Sequence, residues 1–134
     1  MIKKYIDIAF VGDEGILEYI DPATPAQSIE DACGIIYHKL LANYEEASFE
    51  PLHYEGLPIG YFVWMPELLI SFGVNINYRK REPLDYVWKK IKQCLGEEFS
   101  MSLFDHNTRA IKWLQRQGMK VFAEHLTVLV HTKN

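Results

Sequence analysis

Arg79, Lys80 and Arg81 stand in succession and form the one dense positive cluster of the chain. Glu82-Pro83-Leu84 follows at once and reads as a helix start, with Pro83 suited to the first turn. Cations beside a helix N-terminus are placed to meet an anion, because the first turn carries unpaired N–H donors and the positive end of the dipole. Candidates for moving a proton are fewer. Tyr78 and Ser71 are possible donors, and Glu67 and Glu55 possible bases. Both glutamates also read as turn residues, beside Pro66 and Gly56 respectively.

Other chemistry finds little support. His38, His53, His106, His125 and His131 are scattered. Read as one long strand, the last segment would hold His125 and His131 about 20 Å apart, too far for one metal. Asp105-His106 beside Asn107 reads as a turn into a helix rather than an acid–base pair. Cys33 and Cys94 belong to no CxxC pair, so no metal site is expected, and their places on apolar stripes suggest buried free thiols in a reducing setting. No nucleophile elbow, phosphate loop or paired-carboxylate signature is present. The net charge of −4 and a pI near 5.7 argue against nucleic acid as the main partner. Asp7, Asp13, Glu14 and Glu18 do not fit an apolar leader, and no apolar run approaches the roughly 20 residues that span a bilayer. The expectation is a cytoplasmic protein with no membrane contact.

These residues need elements to position them. The 134 residues, 49% apolar and 24% charged, suit one domain over 1–134 with a sizeable core. Lys3 to Phe10 alternates loosely and predicts a first strand; Asp13 to Ile20 predicts a short helix, and Asp21 to Pro25 a turn. Ser28-Ile29-Glu30-Asp31 is close to a capping box. Ile29, Ala32, Cys33, Ile36, Tyr37, Leu40, Leu41 and Tyr44 then mark the apolar face of a helix. Strands follow at Glu50–Tyr54 and Ile59–Met65, the second apolar on both faces and therefore central. From Leu68 to Asn77 the alternation is clean. Leu68, Ile70, Phe72, Val74 and Ile76 share one face, whereas Leu69, Ser71, Gly73, Asn75 and Asn77 make a small, polar face that suits either a cleft or solvent. Leu84, Val87, Trp88, Ile91, Cys94 and Leu95 form the stripe of the next helix, closed by Gly96. Phe99–Phe104 is a strand. Asn107 starts a helix that turns Ala110, Ile111 and Leu114 inward and stops at Gly118. Val121 to Val130 predicts one long final strand.

The order and spacing of these signals resemble the GNAT N-acetyltransferase superfamily in divergent form. In that superfamily a strand of pattern V-x-P-x-Y-R leads into a Q/R-x-x-G-x-G/A loop, whose helix start holds the pyrophosphate of CoA. Val74, Tyr78 and Arg79 match the lead-in, with Ile76 where proline is frequent. The two loop glycines fall on Glu82 and Leu84, a carboxylate that competes for the phosphate donors and a side chain that blocks close approach. Glu82 and Asp85 also serve simply as favourable dipole partners of the helix. Further on, N-x-x-A-I-x-x-Y-x-x-x-G-F is matched by Asn107, Ala110, Ile111 and Gly118, with Met119 in the phenylalanine position. Leu114 stands where the family has its tyrosine general acid, and leucine transfers no proton.

The resemblance implies an α/β (α+β) fold with a mixed, mostly antiparallel sheet and helices on both faces. It implies acetyl-CoA as the cofactor if the protein is active and none otherwise, with Val74, Ile76, Arg79, Lys80, Arg81 and Asn107 as the residues that would hold it. The altered loop predicts weak or absent binding. The lost glycines and Leu114 also resemble small GNAT-like proteins of tailed phages, some linked to virion assembly, which would place the protein in a virion. The expected function is therefore a non-catalytic binding or assembly module with a protein partner or a second copy of itself. The alternative is an active N-acetyltransferase. For the module, Trp113 with Arg109 or Arg116 is the candidate interface; the alternative is that Trp113 is ordinary core.

Overall fold

The fold is described from a computed structural model, over residues 1–20, 25–104, 107–124 and 127–131. Six strands form one sheet: β1 (Ser48–Tyr54), β2 (Leu57–Met65), β3 (Leu68–Val74), β4 (Ser100–Phe104), β5 (Lys120–Glu124) and β6 (Thr127–His131). Their order is β1-β2-β3-β4-β6-β5, antiparallel throughout except for the parallel contact of β3 with β4. Helices α1 (Ile2–Phe10) and α2 (Ile29–Leu41) pack on one face, α3 (Arg81–Leu95) and α4 (Thr108–Arg116) on the other. The expected mixed, mostly antiparallel sheet with helices on both faces is therefore present.

Two cores flank the sheet because β2 is apolar on both sides. Tyr61 and Val63 point toward α1 and α2, while Ile59 and Phe62 point toward α3 and α4. On α3, Val87 and Ile91 are fully buried, with Leu84, Trp88, Cys94 and Leu95 packed beside them, as the stripe requires. Burying such an aliphatic side chain contributes about 1.5–3 kcal/mol. Ser28 caps α2 through its Oγ, which accepts from the Asp31 N–H at 3.1 Å. Gly96 and Gly118, at φ 79° and 98°, end α3 and α4 in the left-handed region expected of helix stops. On α2 the buried stripe is narrower than the spacing suggests: Leu41, the last residue of the helix, and Tyr44 beyond it are exposed.

Two expected elements differ. The segment read as a first strand from Lys3 to Phe10 is α1, because its buried residues Ile2, Tyr5, Ile6, Ala9 and Phe10 recur every three or four positions. That is a helical stripe, and the apparent alternation was carried by Ile8, which is only half-buried. The expected short helix after it is present as a 3-10 helix, Glu14–Tyr19, capped by Asp13. The single final strand is a hairpin, since Glu124 pairs with Thr127 and Lys120 with His131. Folding back gives β6 partners on both edges, which one extended strand would lack on one side. The distance argument for His125 and His131 therefore does not apply. His125, His106, Asp105 and the 21–24 turn lie outside the described residues.

Candidate functional site

The strand leading to the basic cluster ends earlier than its alternation suggests. β3 stops at Val74, and Asn75 turns the chain. The buried Asn75 side chain accepts from the Asn77 N–H at 2.9 Å and donates to the Ile8 carbonyl at 2.7 Å. Its own N–H reaches the Ile59 carbonyl at 2.7 Å. One amide thus fixes the end of β3 to the end of α1 and starts the 3-10 turn Ile76–Tyr78.

The alternation within β3 is also broken. Val63 pairs with Ser71 but Trp64 pairs with Leu69, so Ile70 is an extra residue, a bulge. Leu69 joins Phe72 and Val74 in the α3/α4 core, while Ile70 packs toward α1 and α2. Ser71 and Gly73 also face α1 and α2. Ser71 Oγ lies 3.2 Å from the Tyr61 hydroxyl, and a Cβ on Gly73 would meet Phe10 at 2.8 Å and Tyr61 at 2.9 Å. Glycine at 73 is what lets α1 and Tyr61 close over the strand.

β3 and β4 touch at one end only. Leu68 pairs with Ser100, and the Ser100 N–H donates to the Glu67 carbonyl at 3.0 Å. Beyond that point they share no backbone pair among the described residues, and the facing edges of Ser71–Val74 and Met101–Leu103 border a cavity of about 420 Å³. The cavity is lined by residues of both faces of the sheet. Phe10, Ile36, Tyr61, Ser71 and Gly73 line it on the α1/α2 side; Phe72, Leu84, Met101, Leu103, Ala110 and Trp113 line it on the α3/α4 side. Arg109, Lys112 and Arg116 on one stripe of α4 complete the wall, with Arg79. No carboxylate, imidazole or thiol is among the described residues that line it. Burial pushes the Tyr61 hydroxyl far above the ordinary tyrosine range, so it stays protonated.

The expected site residues separate into groups. Ser71, Val74, Arg79 and Asn107 come together at the cavity, joined there by Arg109 and Arg116. Arg79 is turned inward: Nε donates to the Val74 carbonyl at 2.8 Å and Nη2 pairs with the buried Asp13 carboxylate. Asn107 occupies the N-cap position of α4, but its side chain caps nothing; Oδ1 is buried with no partner among the described residues. Lys80 and Arg81 are exposed at the start of α3, and Ile76 is exposed beside them. Pro83 removes one of the N–H donors there, in addition to the change at the two glycine positions.

Tyr78 stacks edge-on with Tyr54 and does not line the cavity. Glu67 and Glu55 are exposed turn residues with φ 67° and 52°, away from the cavity. Trp113 is not at the surface. It is 7% exposed, with ring centroids 5.3 Å from Phe72 and 5.8 Å from Trp88, so it is core, and the interface reading of Trp113 is corrected. Sequence reasoning missed Tyr61 and Lys112 at the cavity and Asn75 as its support. For Lys112 the signal was present, since 109, 112 and 116 share a helical stripe.

Among the described residues no group of three His, Cys, Asp or Glu side chains is placed to hold a metal ion, and no helix is long and apolar enough to cross a membrane. Burial raises both cysteine thiols above their ordinary value, which leaves them protonated structural groups.

No protein-family model matches the sequence, and no curated protein matches it significantly. Solved structures are similar in fold. An acetyltransferase from Thermus thermophilus superposes with a TM-score of 0.65 at 12% identity, covering 96% of this chain and 86% of that one. The microcin C7 self-immunity acetyltransferase MccE, in complex with acetyl-CoA and AMP, gives 0.61 at 13% identity over 96% and 87%. The Campylobacter jejuni N-acetyltransferase PseH, in complex with acetyl coenzyme A, gives 0.55 at 15% identity over 93% and 88%. A protein of the GNAT family from Bacteroides thetaiotaomicron gives 0.62 at 13% identity over 98% and 80%, so the chain has the fold of the GNAT acetyltransferases.

Proposed function

We propose that the protein is an N-acetyltransferase that takes an acetyl group from acetyl-CoA and passes it to an amine across the β3–β4 cleft. The observation that carries this reading is the cleft itself, set where β3 and β4 part, lined from both cores and basic on one wall. Two structurally similar enzymes hold acetyl-CoA, which supports the same ligand here. The residues present fit it. The strand edges at Ser71–Val74 and Met101–Leu103, which do not pair with each other, suit the amide-bearing arm of CoA, because buried amides need hydrogen-bond partners. Lys112 and Arg116 suit its phosphates. The altered start of α3 shifts the phosphate contacts toward α4.

Acetyl-CoA supplies an activated thioester. The amine nitrogen bonds to the acetyl carbon, the carbon–sulfur bond breaks, and the sulfur leaves with its electron pair and takes a proton from water. The nitrogen sheds its proton to water, since no described group in the cleft is placed to accept it. The protein's contribution is orientation: two ligands entering from opposite faces meet at the splay.

A second reading is a non-catalytic module that binds acetyl-CoA or a protein partner in the same fold. One observation favours it: the buried Leu114 supplies no proton to a leaving thiolate. Calorimetric titration with acetyl-CoA and CoA, followed by a thiol-release assay over an amine panel, decides. Binding with thiol release supports the enzyme. Binding with no release from any amine supports the module, and no binding of either ligand overturns the acetyl-CoA site.

A further inference from the structure

The two walls of the cleft differ in chemistry, and the α1/α2 wall is the one left for the acceptor. Phe10, Ile36 and Tyr61 make it apolar, and the Tyr61–Ser71 pair is its polar spot. It holds no carboxylate among the described residues. Asp13, beside the turn after α1, is already committed: one oxygen accepts from the Gly15 N–H at 3.0 Å and the other pairs with Arg79. A cationic acceptor therefore finds no counter-ion among the described residues there.

A cation does reach this side. Arg109 starts on α4, yet its Nη1 lies 3.8 Å from where a Cβ on Gly15 would stand. Gly15 belongs to the turn after α1, so the guanidinium of Arg109, a residue that lines the cavity, reaches the α1/α2 side, where the same point is 3.1 Å from Asp13 Oδ1. Arg109 is exposed and makes no ion pair among the described residues. Lys112 and Arg116 lie one and two turns further along α4, so Arg109 is the member of the stripe at the acceptor rim.

We infer that the acceptor is an amine on an apolar skeleton that also carries one anionic group, with Arg109 holding the anion at the rim. This rests on the transfer reading for the word acceptor, but the preference is a property of the pocket and is measured without turnover. An apolar amino acid has this chemistry; a polyamine has the opposite.

The test is calorimetric binding of three N-acetyl compounds to the full chain: N-acetylphenylalanine, N-acetylphenethylamine and N-acetylspermidine. The first carries the carboxylate, the second lacks it, and the third is a polycation. The expected order is N-acetylphenylalanine tightest and N-acetylspermidine weakest. Arg109→Ala should weaken N-acetylphenylalanine about tenfold, the size of one charge-assisted hydrogen bond at a partly exposed site, and leave N-acetylphenethylamine within about twofold. Arg109→Lys should recover part of the loss. Equal or tighter binding of N-acetylspermidine, an unchanged ratio in Arg109→Ala, or no binding of any of the three overturns the inference. Acetyl-CoA is titrated alongside. If it fails to bind while the acid preference holds, the transfer reading fails and the anion preference stands; if it binds while the preference is absent, the reverse is true.

Discussion

Arg79 separates two accounts of the basic cluster. The motif resemblance makes it a phosphate contact, whereas the structure uses it to join the corner after α1 to the end of β3. Replacing it with Met keeps much of the stem and removes the charge. The Asp13 carboxylate, 1% exposed, then loses its ion-pair partner. Removing one partner of a buried pair destabilises by about 3–5 kcal/mol, because the remaining charge is uncompensated. The Val74 carbonyl loses its 2.8 Å bond from Nε, worth about 1 kcal/mol more. Arg79 keeps some solvent contact, which places the expected loss at about 3 kcal/mol, a large share of the roughly 5–15 kcal/mol of a typical domain. Urea unfolding followed by tryptophan fluorescence measures it, with the slope unchanged. Adding Asp13→Asn should recover part of the loss, since the orphaned charge is gone. A loss below about 1 kcal/mol, or no recovery in the double variant, refutes the structural role and returns Arg79 to ligand binding.

Trp113→Ala should cost about 3–5 kcal/mol, the range for a truncated core aromatic, with no change in the elution volume of the folded protein; a stable variant that changes its assembly state would restore the surface reading. Lys112→Ala with Arg116→Ala should weaken acetyl-CoA and flatten the salt dependence of its binding, while stability stays within about 0.5 kcal/mol; unchanged affinity at low salt would place the phosphates elsewhere. Initial rates of transfer should rise about tenfold per pH unit until the pKa of the acceptor ammonium, because the free amine is the reactant and no base is among the described residues that line the cleft. A plateau near pH 6.5 with a high-pKa acceptor would reveal a protein base that the described residues do not show.

Much of the fold was legible because its signals are periodic and local. Ser28 caps where its spacing says it should, Val87 and Ile91 centre the stripe of α3, and Gly96 and Gly118 stop their helices. The misread elements were those whose pattern served two periods. Ile2, Tyr5, Ile6, Ala9 and Phe10 satisfy a helix, while Ile6, Ile8 and Phe10 satisfy a strand, and only packing against β2 decides. The hairpin after α4 was hidden because its β-rich residues run on with no Asn-Gly or Pro to mark the turn. The site was half legible. A polar face on β3 was visible, but the bulge at Ile70 that re-aims Leu69 depends on the partner strand. The inward turn of Arg79 depends on Asp13, 66 positions away, and no local pattern announces such a pair.

The central claim is that acetyl-CoA lies in the splay between β3 and β4. Amide chemical-shift perturbation on titrating acetyl-CoA into the labelled protein tests it most directly. The largest shifts should fall on Ser71–Val74, Met101–Leu103 and the α4 residues Arg109–Arg116, saturating with one ligand per chain. Shifts confined to the exposed start of α3, or none at saturating acetyl-CoA, would contradict the account.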